Sequence, residues 1–524
     1  MNRRSTALAA FSGLLLAAAF PFFNLHFLAW VALIPLFFAL KEQNVKNGLW
    51  LGGITGVVFF AGTIPWVTNS LHFYGGFPLI SASLITLILC AYLALYPALF
   101  GACMINIRNN HPNLFFVAAP LSWTALELAR TYVFSGFPWL LLGYSQYSVL
   151  PVIQFSDITG VYGVSFLVVL VNATLASIIM DRKIFIPIIT AAGAVILVMV
   201  YGIIKLRTPE TFGRGIKISV VQGDIEQDKK WDRTYQSKVI AIYKRLTQDA
   251  LKKQPDLVIW PETATPFYLT GVGVNDRIMT ADLIEFVRQN HVPLLTGSAT
   301  YEIQPNRRII GRNSAFLISD EGRIDAVYHK MHLVPFGEYV PLKKVLFFIQ
   351  KMVQTIGDFQ GGDEYTVMTV PYGEPGQRQD IKLCTVICYE IIFPDLVRKF
   401  VDRGAQIVTT ITNDAWFGRT AAPYQHFSMA VFRAVENRVP IARAANTGIS
   451  GFIDSRGRIL DTSGIFTEAY LTHKLEPGTE RSLYTRYGDL FSYTCVIISL
   501  IMLAKNHEKS QYPSECHKDT GKTS

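Results

Sequence analysis

Long apolar runs fill most of residues 1–206, and they restrict this chain more than any other feature. About 20 apolar residues in a helix cross a hydrocarbon core of ~30 Å, and a helix satisfies its own backbone there. Eight runs reach or approach that length: 5–22, 24–41, 48–68, 78–104, 113–132, 160–180, 184–206 and 488–504. A cleaved leader is the competing reading of residues 1–22. Against it, the apolar run continues, and no small-residue cleavage site precedes Pro21-Phe22-Phe23. The stretch between the seventh and eighth runs has ordinary soluble composition. The expected organisation is a transmembrane domain of seven helices over 1–207, an α/β domain over 208–482, an eighth span over 483–506 and a polar tail over 507–524.

Basic residues orient such a bundle, because loops rich in Lys and Arg stay in the cytoplasm. If the spans alternate, Arg3, Arg4, Lys41, Lys46, Arg108, Arg182, Lys183, Lys505 and Lys509 share one side, while residues 131–156 carry no charge of either sign. Lys205, Arg207 and Arg486 fall on the other side, but they flank a large domain, where the rule is weak. An odd number of preceding spans puts the α/β domain outside the cytoplasm and both termini inside.

The formal net charge of +9 thus follows from membrane orientation, and no zinc-ligand spacing or RNA-binding motif accompanies it. A nucleic-acid partner is set aside; a bilayer is the expected one. Of six cysteines, Cys90, Cys103 and Cys495 lie in apolar runs and Cys516 in the tail, leaving Cys384 and Cys388 in the exported domain. So few thiols in an oxidising compartment point to chemistry rather than a disulfide frame.

The α/β domain alternates strand and helix patterns. Strands are expected at 216–221, 257–260, 292–296, 314–318, 324–328, 382–388, 407–412, 441–444 and 451–453. Helices are expected at 238–253, 281–290, 394–401 and 425–437, with hairpin turns at Asp320-Glu321-Gly322-Arg323 and Ser455-Arg456-Gly457-Arg458. This order predicts a layered α/β sandwich. Glu262 follows one strand, Lys330 follows the first hairpin, and Cys388 ends the run 381–388. A carboxylate, an amine and a thiol at strand ends can converge at one sheet edge as base, oxyanion stabiliser and nucleophile. Cys384, four residues before Cys388, lies on the same strand face and reads as packing. The pair His329 and His332 lacks a third ligand, so a metal is not called for.

Trp260-Pro261-Glu262, His329-Lys330 after its hairpin, and Val386-Ile387-Cys388-Tyr389-Glu390 resemble the nitrilase (carbon–nitrogen hydrolase) superfamily. Val220-Val221-Gln222-Gly223, Lys230-Trp231-Asp232, the segment 335–341, Asn413-Asp414-Ala415-Trp416-Phe417-Gly418, and Gly136-Phe137-Pro138-Trp139 followed by Gly143-Tyr144-Ser145-Gln146 are similar to the apolipoprotein N-acyltransferases within it. Two positions depart from that pattern, with Asp224 where Asn is expected and Glu226 near an expected Pro.

The resemblance implies an αββα sandwich behind a polytopic helical membrane domain, and a triad of Glu262, Lys330 and Cys388 that needs no cofactor. It implies Glu338 as a supporting carboxylate and Glu390 as a group orienting the neighbours of Cys388. Tyr389 and Trp231 would line the acyl or headgroup pocket. It implies acyl transfer from a phospholipid, typically phosphatidylethanolamine, to the free α-amine of a diacylglyceryl apolipoprotein at a bacterial inner membrane, with the catalytic domain periplasmic. A membrane-tethered hydrolase with the same triad is the runner-up. A transporter with an external binding domain would carry charges in several spans, and this chain has few beyond Glu127 and Arg130. Those two read as a helix-packing ion pair. Gly136-Phe137-Pro138-Trp139 reads either as an aromatic belt anchor or as the lipid entrance.

Overall fold

The computed structural model describes residues 2–181, 185–208, 214–230, 234–271, 273–303, 309–339, 359–373 and 377–510. Trp231, Arg182, Lys183, Cys516 and most of the expected tail lie outside them.

Helices occupy the N-terminal half. The main ones are Arg3–Ala18, Val45–Thr63, Leu79–Asn110, Phe115–Tyr132, Val161–Asp181 and Phe185–Arg207. Asn2 and Asn44 cap the first two with side-chain oxygens, accepting from the amides of Arg4 (3.1 Å) and Asn47 (2.8 Å). Among the described residues, three helices are long and apolar enough to cross a membrane, Leu79–Asn110, Val161–Met180 and Phe185–Arg207; Val45–Thr63 with Trp66–Phe73, bent by 55°, makes a fourth if the pair is one span. The second expected span is broken into a 3₁₀ turn, His26–Trp30, and a short helix, Ile34–Ala39. Many large apolar side chains face outward, among them Ile80, Ile88, Ile186, Leu197 and Leu500. Such a surface is stable against lipid and costly in water.

Val45–Thr63 and Leu79–Asn110 touch through their backbones. A methyl at Gly52 would overlap the Pro97 carbonyl, and one at Gly56 would come within 2.7 Å of Ala94 Cα. Small residues at helical spacing permit this approach, which gains dispersion where no hydrophobic effect helps.

Two six-stranded sheets form the centre of the second half. The first has the order β12-β1-β2-β3-β4-β5 and the second β11-β10-β9-β8-β7-β6. The first contains β1 (Ile216–Gln222), β2 (Leu257–Ile259), β3 (Leu294–Ile303), β4 (Ile309–Ile318), β5 (Ile324–His329) and β12 (Ala469–Leu475). The second contains β6 (Val367–Tyr372), β7 (Gln379–Ile387), β8 (Ile407–Thr412), β9 (Ile441–Ala445), β10 (Gly451–Ile453) and β11 (Ile459–Thr462). In each sheet three neighbouring strands are parallel, β1–β2–β3 and β7–β8–β9, and the flanking pairs are antiparallel.

Strand alternation explains the layering. Ile216, Ile218, Val220, Leu257, Ile259, Ala315 and Leu317 point between the sheets and join the large core. Their odd-numbered or even-numbered neighbours Val221, Val258, Trp260, Phe316 and Ile318 point the other way, against the helices Gln236–Leu251 and Val274–Asn290. Pro394–Asp402 and Ala422–Asn437 cover the outer face of the second sheet. The result is the expected αββα order. The two hairpin turns are present, with Gly322 and Gly457 at φ +80° and +79°.

The strand expected at 382–388 stops one residue short. Cys388 has φ +53° and opens the 3₁₀ turn Cys388–Ile392. The alternation that paired Cys384 with Cys388 on one face therefore does not extend to Cys388. Asp224, at the position where Asn was expected, sits at φ +51°, a region that Asn and Asp both tolerate.

Candidate active site

Lys330 and Cys388 follow directly on β5 and β7, and Glu262 lies three residues past the end of β2. Side chains just beyond a strand escape the pleat and can turn toward the opposing sheet. All three are nearly enclosed, at 6%, 1% and 8% exposure.

The Lys330 ammonium lies between two carboxylates, 2.9 Å from Glu338 Oε1 and 3.7 Å from Glu262 Oε1. Asn313, within β4, braces the same pair: its Nδ2 donates to Glu262 Oε1 at 2.7 Å and to Glu338 Oε1 at 3.0 Å. The second oxygen of Glu262 accepts from the Asn413 amide at the end of β8 (2.9 Å), and that of Glu338 from the Val334 amide (2.8 Å). Burial works against the Lys330 charge, but Glu338 and Glu262 outweigh it and hold its pKa above the ordinary lysine value. Burial pushes the Glu262 carboxyl up, with Lys330 opposing. A carboxyl so raised is a better proton acceptor than one in water.

Burial also raises the Cys388 thiol, and the negative Glu262 adds to this while Lys330 counteracts it. The thiol thus lies within the field of both groups. At rest it is protonated, so attack requires that its proton leave in the same event.

Glu390 holds the turn after the thiol. Its Oε2 accepts from the Ile387 amide (2.7 Å), and its Oε1 accepts from Tyr328 Oη (2.7 Å) and from the amides of Met331 (2.7 Å) and His332 (3.0 Å). One carboxylate therefore ties the chain on both sides of Lys330 and Cys388. Burial lifts its pKa to about 7. Tyr389 donates to the Gly136 carbonyl at 3.3 Å, which brings the 136–139 loop of the helical half onto the site. Gly136 sits at φ +84°, where a side chain would meet the Thr131 carbonyl. Trp139 is buried at 1% exposure and stacks on His426 at 5.5 Å, so it is not a belt anchor.

Four participants escaped the sequence reading of roles. Asn313 and His426 gave no signal, because their partners are far away in sequence. Asp414 belonged to a quoted motif without a role, and so did Lys230. The buried Lys230 ammonium donates to the Glu262 carbonyl (3.0 Å) and to Thr263 Oγ1 (2.6 Å), and burial brings its pKa down to about 8. Glu127 and Arg130 both reach the 140–142 loop. Glu127 accepts from the Leu142 amide (2.6 Å) and Arg130 donates to the Leu140 carbonyl (3.1 Å).

Comparison with known proteins agrees along the whole chain. Residues 12–174 match the apolipoprotein N-acyltransferase N-terminal domain, and residues 217–484 match the carbon–nitrogen hydrolase domain. The apolipoprotein N-acyltransferase of Geobacter metallireducens is 41% identical, over 96% of this chain and 95% of that protein. Those of Methylococcus capsulatus and Pasteurella multocida are 33% and 32% identical, over 93% and 94% of this chain and equal shares of their own. These two domain matches and full-length relatives show that the chain belongs to the apolipoprotein N-acyltransferase family.

Proposed function

We propose that this protein moves an acyl chain from a membrane phospholipid to the N-terminal amine of a lipoprotein through a thioester on Cys388. The observation that carries this reading is the buried Lys330 ammonium, held by Glu262 and Glu338 beside a buried thiol whose proton affinity both Glu262 and Lys330 affect.

The first half-reaction follows from that arrangement. Glu262 takes the thiol proton as sulfur attacks the sn-1 ester carbonyl. The S–C bond forms and the carbonyl electrons move to oxygen. Lys330, permanently cationic, balances that charge together with the Tyr389 N–H, the amide that follows the nucleophile. Collapse breaks the C–O bond, and Glu262 returns the proton to the leaving lysophospholipid. In the second half, Glu262 takes a proton from the diacylglyceryl-cysteine amine as nitrogen attacks the thioester. The C–N bond forms, the C–S bond breaks, and the proton returns to sulfur. Glu338 and Glu390 support these groups, and Tyr389 lines the acyl or headgroup pocket. Phosphatidylethanolamine is the proposed donor.

Eight spans, both termini in the cytoplasm and a periplasmic domain at 208–482 of a bacterial inner membrane complete the reading. Support comes from the Lys and Arg asymmetry of the loops. Two lipid substrates also favour chemistry at the bilayer, since each CH₂ taken into water costs roughly 0.8 kcal/mol. An impermeant thiol reagent should label cysteines introduced on the 208–482 surface of intact cells lacking their outer membrane barrier. Protection of the whole domain overturns this orientation.

Intact mass after incubation with phosphatidylethanolamine tests the chemistry. The expected result is one acyl adduct, removed by hydroxylamine at neutral pH, with lysophospholipid released. Addition of a diacylglyceryl lipopeptide should discharge the adduct into an amide, and an amine-blocked peptide should not. Decay to free fatty acid at one rate with or without the amine would favour the hydrolase instead.

A further inference from the structure

Cys388 is held at φ +53°, a backbone conformation that L-residues avoid. What grips it lies on the far side of the second sheet. The Cys388 carbonyl faces Nε2 of His426 at 3.1 Å. A carbonyl only accepts, so Nε2 carries the hydrogen. The other ring nitrogen, Nδ1, has Arg443 Nη2 at 3.0 Å and Asp414 Oδ1 at 3.1 Å. Arg443 Nη2 bears two hydrogens, one for Asp414 Oδ2 (3.0 Å) and one for Nδ1. Asp414 Oδ1 takes its hydrogen from Thr412 Oγ1 at 2.9 Å. The Cys388 carbonyl therefore requires a hydrogen on Nε2 whether the ring is neutral, with Nδ1 accepting from Arg443, or cationic, with Nδ1 donating to Asp414 Oδ1. Burial and the Arg443 charge favour that neutral form.

The ring is also anchored from the helical half. Trp139 stacks on it, Trp139 Nε1 donates to Gln425 Oε1 (2.8 Å), and Gln425 Nε2 donates to the carbonyls of Pro21 (2.8 Å) and Thr63 (3.0 Å). His426, Asp414 and Arg443 are all fully buried.

We propose that His426 is a positioning residue: it clamps the Cys388–Tyr389 peptide so that the Tyr389 N–H faces the oxyanion. The C=O and N–H of a trans peptide lie in one plane and point opposite ways. Holding the oxygen toward His426 sends the N–H to the other side, where the thiol's substrate must sit. A flipped peptide would withdraw this donor and turn a repelling oxygen inward. The hydrogen bond to the carbonyl also polarises the amide and strengthens the N–H as a donor. This inference rests on the reading of Cys388 as the nucleophile.

The test separates acylation from simple thiol reactivity in the full-length protein. Acylation by phosphatidylethanolamine passes through an oxyanion; alkylation by iodoacetamide is a displacement at carbon and does not. His426→Leu removes the donor, and His426→Gln returns an N–H near the Nε2 position. His426→Asn keeps a polar amide too short to reach the carbonyl, and replaces the Leu variant if that does not fold. Loss of one oxyanion donor lowers rates about 10²–10³-fold, so the Leu and Asn variants should acylate that much more slowly while alkylating within about twofold of the parent. His426→Gln should recover most of the acylation rate. Undiminished acylation in the Leu or Asn variant overturns the proposal, as does a parallel fall in alkylation. Absence of any adduct in the unmutated protein overturns the reading of Cys388 and this proposal with it. An adduct there with an unaffected Leu variant overturns the clamp alone.

Discussion

The two sheets hold their reactive groups by different means. On the first, the Lys330 ammonium and the inner oxygens of Glu262 and Glu338 are held by one another and by Asn313, with backbone amides of Asn413 and Val334 only on the outer carboxylate oxygens. On the second, Cys388 owes its place to contacts on the backbone, from Glu390 to the Ile387 amide and from His426 to its own carbonyl. Charged groups attract partners and can be steered by them. A neutral thiol attracts little, so the chain that bears it must be fixed instead. Damage to the first set should therefore change chemistry and pH dependence, and damage to the second should change folding and chemistry together.

The most drastic way to break this comparison is Cys388→Ala. With the nucleophile gone, transfer should fall by on the order of 10⁴-fold or more, with no adduct in an intact mass spectrum. Retained turnover would move the reaction off this thiol.

Next in size is Glu262→Gln, which removes the base from both half-reactions. A lost general base costs about 10²–10⁴-fold. In the parent protein the raised Glu262 pKa sets the acid limb of adduct formation. The active form is the carboxylate, so activity is full at high pH and falls as pH drops through a value above the ordinary glutamate figure of about 4.3. A midpoint at or below that figure, read from single-turnover rates, argues against Glu262 as the base.

Glu390→Gln sharpens the contrast. Its amide nitrogen must face a backbone N–H that a carboxylate oxygen accepted, and a buried unmatched donor costs about 1–3 kcal/mol. The thermal midpoint and the acylation rate should fall together. A normal midpoint with slow acylation would place Glu390 with the chemistry of the first sheet.

Asn313→Leu should give the smallest effect, a loss of roughly tenfold in acylation, set by its charge-assisted hydrogen bond to Glu262 at about 1.5 kcal/mol. Asn313 lowers the Glu262 pKa, so its removal should move the acid limb to higher pH. An unmoved limb would mean that Asn313 serves packing alone.

Much of this was legible in the sequence because strands announce themselves by period and their ends by a change in chemistry. The αββα order, both hairpins and the strand-end positions of Glu262 and Lys330 could be read that way. β6 escaped because Pro371 interrupts it; as an edge strand it tolerates a residue that cannot donate. β12 escaped because Thr472, His473 and Lys474 make an exposed edge look like a loop. The end of β7 was misplaced by one residue, since left-handed turns usually advertise themselves with glycine and Cys388 does not. Asn313 and His426 were beyond reach for another reason: their meaning lies in contacts across 51 and 38 residues of sequence. The membrane half was legible as apolar but not as geometry. The turn at residues 31–33 and the 55° bend after Thr63 interrupt runs that composition alone reads as continuous.

The glycine contact between Val45–Thr63 and Leu79–Asn110 governs traffic as well as packing. Where the Gly52 and Pro97 backbones touch, no gap is wide enough for a methylene chain. An acyl tail travelling in the bilayer plane meets a closed seam along that pair of helices. Lipid reaching the site from the bilayer is therefore expected to come by another flank.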